Sequence, residues 1–215
     1  MSNQTKTLSF QASKQSAPIL VVAPHSTIAD GLVVNETFSS VVAKQEIANW
    51  PIVGSFSTLF QSVFIARQAA DSRKNVHDLI KNRAAEPSWP QVLLYPEGTV
   101  TNARALINFR VGAFKPLLPV QPVLIRRKSG SYFDTLTKTW NQKHGYFGCF
   151  WLTLCQFSTE FEFEFLPVYQ PSGEETENPM VYAQNVRALM AEKLGIPMVD
   201  RSVSEFIQKT TSNKN

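Results

Sequence analysis

The sequence predicts an α/β protein, a layered sandwich in which helices flank a central sheet that is mostly parallel or mixed. Short apolar, β-branched runs at residues 18–23 and 120–125 have the length and composition of buried strands. Segments with helical spacing lie between such runs, and this alternation is typical of a sheet whose strands run in parallel. Phe161, Phe163 and Phe165 alternate with glutamates, which predicts a strand with one buried and one solvated face.

Local signals place the remaining elements. Pro51 must break the helical pattern of residues 45–60 into two pieces, because proline cannot continue a helix. Asp71 or Ser72 can cap the next helix, which runs to about residue 85. The other predicted elements are strands at 41–43, 62–66 and 91–95 and a helix at 181–194, which begins at Asn178-Pro179 and is stopped by Gly195.

Pro122 lies inside the predicted strand at 120–125. Proline cannot donate a ladder hydrogen bond, so we expect that strand near an edge of the sheet or at a bulge. The length of 215 residues suits one domain with a substantial core. We expect a polar, flexible N-terminus over residues 1–16, one folded domain over 17–200 and a polar tail over 201–215.

Composition narrows the class of partner. The chain has 21 basic and 17 acidic residues, a net charge of +4 that mildly favours anionic partners. The basic residues are scattered and form no nucleic-acid module, so we expect no nucleic-acid partner. Cys149 and Cys155 lie in an apolar segment and are expected to be buried, reduced thiols. The longest apolar stretch, 146–157, is too short to span a bilayer, so we expect no transmembrane segment in this chain.

His25 and Asp30 form an H-x-x-x-x-D pair directly after the first predicted strand. Side chains five positions apart on a straight helix point about 140° away from each other, so one regular helix cannot bring them together. They can meet if His25 lies in the turn and Asp30 in the first helical turn, where a carboxylate is stabilised by the helix N-terminus. Asp30 would then fix the imidazole tautomer while His25 removes a proton from a hydroxyl. The alternative is a surface histidine near a helix-capping aspartate.

Three further segments follow in a fixed order, and with the first they resemble the glycerophospholipid acyltransferase (PlsC-like) family. The resemblance is closest to its lysophosphatidylcholine acyltransferase branch, through residues 71–73, 101–102, 109–114, 151–157 and 164–169. The family combines a histidine block, an arginine block, an [FY]-P-E-G-T block and a late proline-containing strand. Four blocks in order are much harder to obtain by chance than any one of them. In this sequence the blocks are residues 25–30, 63–67, 95–99 and 118–123, within a resemblance that covers 17–194.

The resemblance implies the chemistry of the first two blocks. In the family the histidine is the general base for direct attack of a lysophospholipid hydroxyl on the acyl-CoA thioester. His25 is therefore implied to be the base and Asp30 its orienter. Arg67 matches the family arginine that holds the acceptor phosphate, a task suited to a planar fork of donors. A surface charge at the end of a strand is the alternative for Arg67.

The later blocks are implied to bind substrate. Gly98 would permit a tight turn and a close backbone approach, and Thr99 can donate a hydrogen bond to a phosphate. Glu97 would accept a hydrogen bond from the hydroxyl of the acceptor or orient Arg67, unless it is a simple turn carboxylate. Pro122 is implied to shape the acyl-CoA site.

The resemblance also implies the partners and the location. Acyl-CoA would be the co-substrate, a lysophospholipid the acceptor, with lysophosphatidylcholine favoured, and a membrane surface the place of contact, facing the cytosol at the endoplasmic reticulum. The family needs no metal or prosthetic group, and the three histidines here lack the spacing of metal ligands. The domain at 17–200 is then an acyltransferase catalytic domain.

Two other functions stay open. A lysophosphatidate or glycerol-3-phosphate acyltransferase shares the four blocks, and a non-catalytic lipid or acyl-CoA binding module needs no intact base. A hydrolase with Ser26 as nucleophile is disfavoured, because no G-x-S-x-G nucleophile elbow surrounds that serine.

Overall fold

In the computed structural model, the residues that can be described are 10–50, 53–65, 70–128, 151, 155 and 160–202. The strands are β1 (Ile19–Ala23), β2 (Ser40–Lys44), β3 (Val63–Ile65), β4 (Val92–Leu94), β5 (Val120–Lys128) and β6 (Glu160–Phe165). The α-helices in these ranges are α1 (Leu32–Thr37), α2 (Val53–Leu59), α3 (Ala70–Ala85) and α4 (Pro179–Leu194). Short 3-10 helices lie at Ile28–Gly31, Gln45–Asn49, Val111–Ala113 and Gly173–Thr176.

The described strands form one mixed sheet in the order β3-β2-β4-β1-β5-β6. The first five run in parallel, and β6 pairs antiparallel with β5. β1 lies between β4 and β5, and each of its residues is fully buried. The predicted fold class is confirmed. Residues 45–60 are divided, as predicted, into a 3-10 helix that ends at Asn49 and α2, which begins at Val53, and Pro51 itself lies outside the described residues.

The side chains of β1 alternate between two apolar clusters, one on each face of the sheet. Val21 and its neighbours on one face pack with α4, whose Tyr182 and Val186 are fully buried. Leu20 and Val22 on the other face pack with α1 through Val33 and Val34. Because both faces of β1 are covered, the end of this strand is a rigid position from which to present a side chain.

The prediction that Pro122 lies near an edge or a bulge is confirmed, because the antiparallel register shifts by one residue there: Val123 pairs with Phe165, but Val120 pairs with Tyr169. Pro122 lies in register with Val21 in β5, an interior strand flanked by β1 and β6. The Leu166 N–H donates to the Pro122 carbonyl at 2.9 Å, but proline offers no N–H in return. The buried Gln121 side chain replaces that donor, because its Nε2 lies 3.0 Å from the Leu166 carbonyl oxygen. A neighbouring amide therefore makes an interior proline acceptable.

Two predicted boundaries also change. α3 begins at Ala70, so Asp71 lies inside the helix rather than at its cap. Residues 10–16, expected to be flexible, are attached to the domain: the Ala12 N–H donates to Gln121 Oε1 at 2.7 Å, and Lys14 Nζ donates to the Trp89 carbonyl at 2.6 Å. The domain therefore starts earlier than residue 17.

Helix α4 has the ends that the sequence predicts. The Asn178 side chain accepts hydrogen bonds from the Met180 and Val181 N–H groups, and Gly195 ends the helix at φ +70. One expectation from the apolar segment at 146–157 fails, because Cys155 is exposed rather than buried. Cys149 lies outside the described residues.

Candidate active site

His25 lies two residues after β1, at the carboxyl end of the parallel strands. The chain then enters the 3-10 helix at Ile28–Gly31, whose N-cap is Thr27. Thr27 and Asp30 form a capping box: the Thr27 hydroxyl accepts from the Ala29 N–H, and the Asp30 carboxylate accepts from the Thr27 N–H. This tight turn brings Asp30 back toward His25, which a regular helix would not do.

The imidazole and the carboxylate are in direct contact. Nδ1 of His25 lies 2.9 Å from Oδ2 of Asp30, and the same oxygen accepts from the N–H groups of Ser26 at 2.5 Å and Thr27 at 2.8 Å. Asp30 is fully buried, whereas 22% of the His25 side chain is exposed. Because these backbone donors converge on the same buried oxygen, Asp30 is held in place as an acceptor for His25.

This contact fixes the tautomer of the neutral ring. A carboxylate can only accept, so the proton between the two groups belongs to Nδ1 of His25. The other nitrogen, Nε2, then carries the lone pair. His25 is therefore arranged to take up a proton at Nε2, with the resulting positive charge beside Asp30.

Tyr95 holds the ring from one side. Its ring stacks on His25 with centroids 4.1 Å apart and an interplanar angle of 22°, and its hydroxyl donates to the Asp30 carbonyl at 2.8 Å. Burial, and then the nearby Asp30 charge, raises the pKa of Tyr95 well above its ordinary value, so it stays a neutral donor. Tyr95 follows β4, the strand beside β1, which explains why the two residues meet.

Glu97 faces the backbone of His25. It is fully buried, and its Oε2 accepts from the His25 N–H at 2.7 Å. Burial raises its pKa to about 7, against the opposing effect of hydrogen bonds from His25, Ile107 and Thr101. With no exposed surface on Glu97, this arrangement does not offer the expected contact with a substrate hydroxyl.

Gly98 and Thr99 complete the turn that follows β4. Gly98 has φ +64, and a Cβ at this position would lie 2.4 Å from Cδ of Arg110. Glycine is therefore required twice, for the backbone conformation and for the close approach of Arg110. Thr99 is partly buried, and its hydroxyl has no hydrogen-bond partner within the described part of the chain.

Other residues predicted for the site are not brought to His25. Pro122 is buried in register with Val21, four residues before His25, so it lies inside the sheet and away from the imidazole. Arg67 lies outside the described residues. The strand that precedes it, β3, is the edge strand of the described sheet and lies on the β4 side of β1.

On the β5 side of β1, a half-open cleft of about 230 Å³ lies beside the histidine turn. Pro24 and Ser26, the residues on either side of His25, line it together with Arg126 and the end of α4 at Leu194. The Arg126 side chain is one-third exposed and donates to Glu164 Oε2 through Nε at 3.1 Å. The cleft is therefore mostly apolar, and two cationic residues, Arg126 and Arg127, are among those that line it.

Three residues at or beside the site had no role predicted from the sequence. Tyr95 and Thr101 contact His25, and Arg126 lines the neighbouring cleft. Tyr95 opens the block at 95–99, and its aromatic character was the available signal. The contacts of Thr101 depend on the loop that returns to His25, and the position of Arg126 depends on strand order, so neither has a local signal.

The described part of the chain has neither a cluster of metal ligands nor a membrane-spanning helix. No group of three or more His, Cys, Asp or Glu side chains in these ranges is placed to hold a metal ion. Every helix in the same ranges is too short or too polar to cross a bilayer.

A histidine held by a buried aspartate at the carboxyl edge of a largely parallel sheet is an arrangement that can support general-base chemistry. A family model described as Acyltransferase matches residues 7–126, which is more than half of the chain. The chain therefore belongs to the acyltransferase family.

Curated relatives agree with this membership. Lysophosphatidylcholine acyltransferase 1 of Homo sapiens is 47% identical over 191 residues, which is 88% of this chain and 35% of the relative. The lysophosphatidylcholine acyltransferase of Drosophila melanogaster is 43% identical over 198 residues, 91% of this chain and 37% of the relative. The chain thus spans little more than a third of the length of these relatives.

A solved structure supports the fold. The crystal structure of the 1-acyl-sn-glycerophosphate (LPA) acyltransferase PlsC from Thermotoga maritima is similar with a TM-score of 0.53 at 18% identity. The match covers 83% of this chain and 66% of that chain. At this identity the similarity concerns the fold alone.

Proposed function

We propose that this chain is the catalytic domain of an acyl-CoA-dependent O-acyltransferase that transfers a fatty acyl group to a lysophospholipid. The observation that carries the proposal is the contact between His25 Nδ1 and the buried Asp30 carboxylate, which leaves Nε2 as the proton acceptor. Lysophosphatidylcholine is the favoured acceptor, because curated relatives that are 43% to 47% identical over about nine-tenths of this chain are named for it.

The proposed reaction is a direct transfer. His25 Nε2 removes the proton from the acceptor hydroxyl while that oxygen attacks the carbonyl carbon of the thioester. The carbon–sulfur bond then breaks, and the departing thiolate of CoA takes the proton from the imidazolium. Asp30 stabilises the imidazolium in between and keeps the ring in place. The reaction needs no metal or prosthetic group, and acyl-CoA is its co-substrate.

We place the acceptor and the donor on opposite sides of β1. Arg67, which follows the edge strand β3, is proposed to bind the phosphate of the acceptor, with Thr99 as a further donor. The cleft on the β5 side is proposed to receive the donor, because Arg126 supplies a positive charge for CoA phosphates and the apolar lining suits its pantetheine arm. Pro122 lies within the sheet and is proposed to affect the site only through the shape of β5.

A lipid acceptor requires contact with a membrane surface, which we propose on the side of α1 and α2. Large apolar side chains on and beside these two short helices are solvent-exposed, which is unusual for a packed domain. They are Leu32 (46%), Phe38 (71%), Phe56 (53%) and Leu59 (73%). A cytosol-facing position at the endoplasmic reticulum is part of the same proposal.

The test is an acyl-transfer assay with palmitoyl-CoA and a panel of acceptors in detergent and in liposomes. The panel contains lysophosphatidylcholine, lysophosphatidate and glycerol-3-phosphate, and each is measured with the unmodified chain and with His25→Ala. We expect His25-dependent product with lysophosphatidylcholine. Product with lysophosphatidate or glycerol-3-phosphate instead would change the acceptor and keep the reaction.

A binding measurement separates the enzyme from a non-catalytic module. The chain should bind palmitoyl-CoA both before and after His25→Ala, since the imidazole acts in the chemical step. Binding without transfer to any acceptor, by a chain shown to be folded, would contradict the proposal and favour the lipid or acyl-CoA binding module.

A further inference from the structure

Glu97 is a buried ionisable group for which the proposed reaction has no use. A carboxylate removed from water is costly unless hydrogen bonds replace its solvation. Glu97 is fully buried, and its Oε2 accepts from the His25 N–H at 2.7 Å. The Ile107 N–H is a second backbone donor to this carboxylate. The fold thus tolerates a buried acid whose partners include the backbone of the proposed base.

Thr101 binds the other backbone group of the same residue, His25. Its N–H donates to the His25 carbonyl at 2.7 Å, and its Oγ1 lies 3.4 Å from Glu97 Oε1. Glu97 and Thr101 therefore form a clamp that engages both the N–H and the C=O of His25. This clamp acts on the backbone, whereas Asp30 and Tyr95 act on the ring.

The loop that contacts Glu97 is itself held in place by hydrogen bonds from α4. The loop that supplies the Ile107 N–H is tied to α4 by Arg187, which is 2% exposed. Its guanidinium donates to Asn108 Oδ1 at 2.8 Å and to the Leu106 carbonyl at 2.9 Å, the residues on either side of Ile107. Glu97 therefore has a partner in a fixed loop as well as in His25.

We infer that Glu97 and Thr101 are positioning residues that fix the backbone of His25, and through it the position of the imidazole. The inference rests on the proposed function, in which His25 is the base. It replaces the expected role of Glu97 in binding the acceptor. Misplacing a catalytic group by about 1 Å can reduce a rate by about 10²-fold, so a clamp of this kind acts on catalysis as well as on stability.

The experiment compares Glu97→Gln with the unmodified chain by steady-state kinetics and by amide hydrogen exchange at His25. Glutamine has nearly the same shape but only one acceptor oxygen, so it cannot satisfy all the donors that the carboxylate serves. We expect kcat to fall by about 30- to 100-fold while KM for each substrate stays within about threefold. The His25 amide should exchange at least about tenfold faster.

Glu175→Gln is the matched control. Glu175 is also a buried carboxylate, 4% exposed, and it accepts from the Ser172 N–H at 2.9 Å and from the Tyr169 hydroxyl at 2.7 Å, in a turn that has no contact with His25. This variant should lower the melting temperature but leave kcat per folded molecule and the His25 amide unchanged.

A second pair of variants keeps the test informative if Glu97→Gln does not fold. Thr101→Val removes the hydroxyl and keeps the backbone donor, so kcat should fall by only about three- to tenfold, and Thr101→Ser should restore it. A rise in KM for the lysophospholipid with unchanged kcat would mean that Glu97 contacts substrate and would overturn the inference. A lower melting temperature with unchanged kcat and amide exchange would reduce Glu97 to a structural role. If the chain transfers no acyl group, the exchange of the His25 amide still decides whether the clamp exists.

Discussion

Oδ2 of Asp30 lies 2.9 Å from Nδ1 of His25 and also accepts from the N–H groups of Ser26 and Thr27. The carboxylate therefore has two roles: it caps the 3-10 helix at Ile28–Gly31, and it orients the imidazole of His25. Asp30→Asn should separate them. The amide can still cap the turn through its oxygen, but it loses the charge that stabilises the imidazolium.

For Asp30→Asn we predict a loss of about 10² to 10⁴ in kcat. The melting temperature should change little by comparison, because one oxygen acceptor remains for the backbone donors. Acyl-transfer kinetics and a thermal melt of the same preparation check both parts. Full activity in a folded Asn variant would show that Asp30 acts as a cap and nothing more.

Replacing Gly98 should be costly because it combines a positive φ with a close side-chain contact, a combination that no other glycine in the described part of the chain has. Gly98→Ala is expected to destabilise the fold by about 1–3 kcal/mol, because alanine must adopt φ +64 and its Cβ meets Arg110. Gly195→Ala has the backbone strain at φ +70 without a clash, and Gly112→Ala has neither. In denaturant unfolding, the loss of unfolding free energy should therefore be largest for Gly98→Ala, smaller for Gly195→Ala and smallest for Gly112→Ala. Equal losses of unfolding free energy for Gly98→Ala and Gly195→Ala would show that the Arg110 side chain moves aside without a measurable cost.

If the cleft on the β5 side of β1 receives acyl-CoA, substituting the two partners of one ion pair should affect CoA binding differently. Arg126→Gln and Glu164→Gln both break the contact between Arg126 and Glu164, which is 3.0 Å long. If Arg126 binds CoA phosphates, Arg126→Gln should raise the Kd for CoA by about tenfold, the worth of one charged hydrogen bond. Glu164→Gln should leave that Kd unchanged or lower it.

Calorimetric titration of CoA into the two variants checks this prediction. Equal weakening by both substitutions would show that the ion pair has a structural role only. Unchanged CoA binding together with a raised KM for the lysophospholipid would place the acceptor, not the donor, in the cleft.

Glu97 should make the stability of the chain depend on pH. Its pKa is raised to about 7 by burial, with a smaller contribution from the charge on Asp30, which also faces His25. The folded chain therefore binds this proton more tightly than the unfolded chain does. Stability from this group is fully present below its ordinary pKa and is lost as the pH rises through about 7.

The difference in unfolding free energy between the unmodified chain and Glu97→Gln isolates this effect. From pH 5 to pH 8 the unmodified chain should lose stability relative to the variant, by on the order of 2–3 kcal/mol. Denaturant unfolding at a series of pH values measures the difference. A difference that does not vary with pH would show that Glu97 has an ordinary pKa in the folded chain.

The sequence was sufficient for the elements whose signals are local. The capping asparagine and terminal glycine of α4, the alternating Phe and Glu of β6 and the break at Pro51 all depend on neighbouring residues. The meeting of His25 and Asp30 could also be predicted, because a turn geometry follows from five residues.

Features that depend on strand order could not be predicted in this way. Pro122 predicted an edge or a bulge and does lie at a shift of register, but the Gln121 amide that replaces its missing ladder donor has no sequence signal. The clamp on His25 joins residues 25, 97 and 101, which only the pairing of β1 with β4 brings together. The burial of Glu97 therefore required the structure.

His77 is a control, within the same chain, for the proposal that His25, held by Asp30, is the base for acyl transfer. His77 also contacts an aspartate, with Nδ1 3.2 Å from Asp78 Oδ1, but this pair lies on the exposed side of α3. The most direct measurement is the single-turnover rate of transfer from palmitoyl-CoA to lysophosphatidylcholine for His25→Ala and His77→Ala. We predict a loss of at least about 10²-fold for His25→Ala and an unchanged rate for His77→Ala. Transfer by folded His25→Ala at the rate of the unmodified chain would contradict the proposal.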